Sequence, residues 1–96
     1  MRWFIGEYLF SKAVENKGNR KKGEGFASEM HRAWEQVCIK SGFHCGPLTS
    51  FQREVRKMLE SGVIERTREE QGKGAMPRQY FCLTKEFFDA MREERR

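Results

Sequence analysis

Arg53, Arg56 and Lys57 stand at i, i+3 and i+4, with Ser50 and Gln52 just ahead of them. On an α-helix this spacing sets all three cations on adjoining turns of one surface. An arginine fork pairs with the edge of guanine and a glutamine amide with that of adenine, and the same cations meet phosphate oxygens. Glu54 and Glu60 lie in the same stretch, so a solvated charged face is the bland alternative. Two further groups of cations follow the same chemistry. Arg66, Arg68, Lys73 and Arg78 recur in the second half of the chain, and Arg20, Lys21 and Lys22 cluster in a glycine-rich run. Each can reach a backbone phosphate, and those beside a helix lodged in the major groove can also reach a minor groove. Double-stranded DNA is the partner these residues suit.

Other chemistry is poorly supported. His31, Cys38, His44 and Cys45 fall at i, i+7, i+13 and i+14, unlike the paired ligands of a structural zinc site. No metal or other cofactor is expected, and no small-molecule ligand is inferred. His44 beside Cys45 suggests a thiol nucleophile, but sequence neighbours need not face each other and no orienting acid is evident, so the chain is not read as an enzyme. His31 is read as a partly exposed residue of a helix. Cys38, Cys45 and Cys82 form an odd set, which fits thiols filling a core in a reducing compartment; a Cys38–Cys45 bridge is the alternative.

Composition sets the frame. A chain of 96 residues with 38% apolar content builds one modest core, and a single domain over residues 1–96 is expected. The net charge of +5 on a chain that is 34% charged favours an anionic partner. No apolar run approaches the roughly 20 residues that span a bilayer, and "MRWFIGEYLF" lacks the apolar centre of a secretion signal. The expected location is the cytoplasm, with no membrane partner.

The elements that must carry these residues can be read in order. In "RWFIGEYLFSKAVENKG", Phe4, Ile5, Tyr8, Leu9 and Ala13 make the stripe of an amphipathic helix ending at Gly18. Trp3, Phe10 and Val14 widen its apolar surface beyond one stripe. A homodimer would use that excess, its interface drawn from Trp3, Phe4, Phe10, Phe87, Phe88 and Met91. Residues 17–25 have little to bury and read as a flexible basic loop. A second helix starts near Ser28, with Met30, Trp34, Val37 and Cys38 on its core face and Gly42 at its end.

The third helix, residues 48–61, opens on "TSFQ", where Thr49 and Gln52 suit a reciprocal cap. Phe51, Val55, Met58 and Leu59 repeat on its inner face and Gly62 ends it. The rhythm then changes to alternation. Ile64, Arg66 and Arg68 are placed on one side of a strand, Val63, Glu65 and Thr67 on the other. "EEQGKGAMP" supplies a turn and "RQYFCLT" a return strand, closing a hairpin over 63–83. Thr84 is placed to cap a last helix, 84–96.

The order helix, helix, helix, strand, strand, helix is α+β and matches a winged helix-turn-helix: three helices, a two-stranded β-hairpin wing and a C-terminal helix. The run "EMHRAWEQVCIKSGFHCGPLTSFQREVRKMLESGVIE" resembles winged-helix DNA-binding domains. It looks most like the C-terminal winged-helix domain of archaeal origin-recognition-type replication initiators. There too an aromatic-bearing helix ends at Gly, a "PLT" step opens the recognition helix and a Leu-x-x-Gly-Val-Ile step enters the wing. The matching positions are Trp34, Cys38, Gly42, Pro47, Leu48, Thr49, Leu59, Gly62 and Ile64, and the similarity runs from Ser28 to Leu83. The chain departs from that family in having no G-x-x-x-x-G-K-[ST] loop and a wing poorer in arginine. The resemblance implies DNA binding by Gln52, Arg53, Arg56 and the wing, as in a small transcription regulator. A replication-associated DNA-binding protein and a protein–protein interaction module are the alternative functions.

Overall fold

The computed structural model describes residues 1–71 and 77–95. Its elements are α1 (Arg2–Glu15), a 3-10 turn (Arg20–Lys22), β1 (Gly25–Phe26), α2 (Ala27–Ser41), α3 (Leu48–Glu60), β2 (Ile64–Glu70), β3 (Arg78–Leu83) and α4 (Lys85–Glu94). The described residues thus form an α+β fold of four α-helices and one three-stranded antiparallel sheet, ordered β1–β3–β2. β1 pairs Gly25 with Phe81 and Phe26 with Tyr80. None of the described helices is long and apolar enough to cross a membrane.

The helices close over one face of the sheet because their apolar stripes are in phase. Ile5 and Leu9 of α1, Met30 of α2 and Phe51 of α3 are fully buried with Ile64 and Leu83 of the sheet. Gly42, at φ 77°, ends α2 in the left-handed conformation, and the Phe43 N–H returns to the Cys38 carbonyl at 2.9 Å, a Schellman-type stop. His31 is buried rather than partly exposed. Its Nε2–H donates to the Gly46 carbonyl at 3.2 Å, its Nδ1 lies 3.2 Å from Glu35 and its ring packs edge-on against Phe51. One imidazole thereby ties the turn at residues 42–47 to both helices that flank it.

Two expected caps are built differently. α3 begins at Leu48 with extended Pro47 as its cap residue and no side-chain cap bond. Thr49 therefore already lies inside the first turn, and the Thr49–Gln52 exchange does not form; the Pro47 carbonyl instead accepts from the Ser50 and Phe51 N–H groups. Thr84 does precede α4, but its hydroxyl donates to the Gly62 carbonyl at 2.8 Å, and no side-chain cap bond forms. It ties the start of α4 to the turn leading into β2.

The simple alternation expected in β2 is broken. Ile64 pairs with Leu83, Glu65 with Cys82 and Arg66 with Phe81, but Arg68 pairs with Tyr80, a bulge with Thr67 as the extra residue. One inserted residue reverses the phase of everything after it. Arg66, opposite Phe81, is exposed on the edge strand, whereas Arg68 shares a face with Tyr80 and Phe26.

The segment 17–25, expected to be a flexible loop, contains the 3-10 turn and β1. The Asn19 side chain accepts from the Lys21 and Lys22 N–H groups. Gly23 sits so tightly on α1 that an added Cβ would lie 2.4 Å from the Ala13 nitrogen. Composition alone hid what this segment buries, because its anchors are one glycine and one arginine.

Of the residues that widen the apolar surface of α1, Phe10 is used within the chain, while Trp3 and Val14 stay exposed. Phe10 packs on Phe88 with ring centroids 5.5 Å apart, and Phe4, Phe10 and Phe88 are all buried. These three, expected at a dimer interface, thus pack within the chain rather than standing open to a partner, and Met91 also packs partly against the core. Of that set, Trp3 and Phe87 stay exposed. Cys38, Cys45 and Cys82 are free thiols, the first and last buried and Cys45 half-buried.

Candidate nucleic-acid interface

The inner face of α3 is fixed by buried Phe51, Val55 and Met58, which forces Gln52, Arg53, Arg56 and Lys57 outward, all exposed; Ser50 is half-buried. Arg53 and Arg56 make no ion pair with any described residue. The acid between them is neutralised elsewhere. Arg2, at the start of α1, donates to Glu54 at 2.9 Å, and Lys57 approaches the same carboxylate at 3.7 Å. The Arg2 hydrogen bond, more than Lys57, holds the Glu54 carboxyl below its ordinary range despite some desolvation. The two free guanidiniums thus stand beside a masked acid.

The hairpin places its cations unequally. Arg66 is exposed and makes no ion pair with a described residue. Arg78 sits over the Phe26 ring, its guanidinium carbon 4.3 Å from the centroid, and forms no ion pair with a described residue. Stacking fixes a guanidinium while leaving its in-plane N–H groups for an acceptor. Arg68 also stacks, 3.9 Å over Tyr80, but its N–H groups donate to Glu24 and Glu70, each at 2.7 Å. These bonds hold the Arg68 guanidinium more firmly protonated than usual, with Glu24 contributing most. Arg68 is a brace across the sheet rather than a free donor. Phe26 and Tyr80 meet edge-on at 5.3 Å, completing a ladder of two arginines over two rings. Lys73 lies outside the described residues.

Arg20 is not available to a phosphate. Its Nη1 donates to Glu65 at 2.6 Å and to the Leu83 carbonyl at 2.8 Å, with Cys82 Sγ at 3.5 Å. The Glu65 carboxyl is lowered chiefly by its hydrogen bond from Arg20, and burial pushes the Cys82 thiol up to about 11. Lys21 and Lys22, its neighbours, are exposed and make no ion pair with a described residue.

The candidates therefore separate into an open set on α3 and the hairpin (Gln52, Arg53, Arg56, Arg66, Arg78), a distinct pair (Lys21, Lys22), three engaged residues (Arg20, Lys57, Arg68) and half-buried Ser50. Sequence reading missed Arg2, which acts on α3 from 52 residues away, and Arg32, exposed on α2 with no ion pair to a described residue. Neither carries a local signal, since both depend on which helices pack together. No group of three or more metal-capable side chains occurs among the described residues. No family model matches the chain, and searches of curated proteins and of solved structures return no significant match.

Proposed function

We propose that the protein is a winged helix-turn-helix module that binds double-stranded DNA. In this reading α2, the turn at residues 42–47 and α3 are the helix-turn-helix, and β2 with β3 is the wing. α3 lies in the major groove, Arg53 and Arg56 meet base edges and phosphates, and Gln52 meets a base edge. Arg66 and Arg78 contact the flanking backbone from the hairpin.

The observation that carries the reading is the pair Arg53 and Arg56, held outward by a buried helix face and left without an ion pair to any described residue while Arg2 masks the intervening Glu54. A merely solvated face would gain from pairing those cations with acids of its own helix, and this one does not. The test is binding of a fluorescent duplex by the protein and by an Arg53→Ala/Arg56→Ala variant. Both side chains are exposed, so the variant should unfold at the same temperature yet bind at least about tenfold more weakly, on the order of one charge-assisted contact. Equal binding by the two proteins would remove α3 from recognition.

A further inference from the structure

A second cationic site lies apart from α3. Between the 3-10 turn and β2 runs a groove of about 590 Å³, within the size range of small-ligand sites, lined chiefly by Lys21, Lys22, Glu24, Glu65, Arg66 and Arg68. Its two acids are already matched: Glu65 by Arg20 at 2.6 Å, and Glu24 by Arg68 at 2.7 Å and the Thr67 hydroxyl at 2.8 Å. Lys21, Lys22 and Arg66 make no ion pair with a described residue, although Lys21 adds to the field that lowers Glu65, so the groove keeps a net positive charge contributed from both walls.

Those walls are held in place. Asn19 caps the turn carrying the lysines, buried Gly23 seats it on α1, and Arg20 pins it to the sheet. Opposite, the Thr67 bulge interrupts the alternation of β2, and Glu65, Arg66 and Arg68 all border the groove, a local re-aiming of side chains that a regular strand would not give. No aromatic side chain lines the groove, so nothing in it would stack on a base.

We propose that this groove binds a chain of linked phosphates, with Lys21 and Lys22 on one side and Arg66 on the other as donors, without regard to any attached base. The site does not depend on the duplex reading of α3. The source of the phosphates is either a free polyphosphate or nucleotide tail, or a nucleic-acid backbone.

The test is titration of the full chain with sodium triphosphate at about 50 mM salt, where phosphate contacts are strongest, followed by amide NMR shifts. The expected result is saturable shifts at residues 21–25 and 65–68, smaller ones at 53–57, and equal affinities for triphosphate, ATP and GTP. Lys21→Ala/Lys22→Ala should weaken binding at least about tenfold, and Arg66→Ala should repeat the loss from the opposite wall. The Arg53→Ala/Arg56→Ala variant should bind triphosphate unchanged, which separates this site from the duplex reading. In that variant a short duplex identifies the source: shifts at 21–25 assign the site to nucleic-acid backbone, and their absence, whatever happens at 65–68, assigns it to free polyphosphate. Unaltered triphosphate affinity after removal of both lysines, shifts centred on 53–57, or a tenfold preference for one base would overturn the proposal.

Discussion

Replacing Arg20 with Ala separates a structural arginine from a phosphate-binding one. The side chain is 19% exposed and its Glu65 partner 44%, so truncation strips a charge-assisted bond but lets the carboxylate return to water. The Leu83 carbonyl, inside the buried end of β3, loses its Arg20 donor. A hydrogen bond to a charged group contributes about 1.5–3 kcal/mol; with the acid half re-solvated, about 2 kcal/mol is the expected loss. For a domain of this size each kcal/mol moves the midpoint by about 4–8 °C, so thermal unfolding followed by circular dichroism should drop by roughly 8–16 °C. Arg20→Lys, which keeps the charge but loses the fork, should fall between the two. Lys21→Ala, one residue away and exposed, should leave the midpoint in place. If Arg20→Ala unfolds with the wild type, the pinning role assigned to this residue is wrong.

Gly23→Ala should destabilise by about 1–3 kcal/mol, the usual range for overpacking, because the new Cβ meets α1 backbone rather than a movable side chain; denaturant unfolding measures it, and wild-type stability would mean the turn is not seated on Ala13. Acid should weaken the fold through Glu54 and Glu65, whose carboxyls are both held low by arginine. Groups depressed in the folded state lend stability above their unfolded value, near 4.3, and lose it as pH falls through the folded value. Stability should therefore decline below about pH 4.3, and Glu65→Gln should flatten that decline; an unchanged pH profile would show that the Arg20–Glu65 pair contributes nothing.

Periodicity carried most of the fold. The spacing of Phe51, Val55 and Met58 placed α3 and predicted which side chains point outward, and the change to alternation after Gly62 located the hairpin. What escaped were features decided by contacts far apart in sequence. The alternation in "VIERTRE" held no trace of the Thr67 bulge, which depends on the pairing with β3 and on Glu24, 43 residues away. Arg20 read as one of three equivalent cations, although only it enters the sheet. A run rich in glycine and lysine looked as if it had nothing to bury because propensity and composition count side chains, whereas this segment is anchored by a backbone approach at Gly23. Excess aromatic residues on α1 suggested a partner because the sequence does not reveal that α4 folds back on Phe10.

The central claim is that unpaired cations on α3 and the hairpin meet duplex phosphates, and the salt dependence of duplex affinity tests it most directly. With Arg53, Arg56, Arg66 and Arg78 each displacing one counterion at about 0.9 per phosphate, log K against log salt should fall with a slope near −3.6, and Arg53→Ala/Arg56→Ala should reduce its magnitude by about 1.8. A slope near zero, or one that the double variant leaves unchanged, would contradict it.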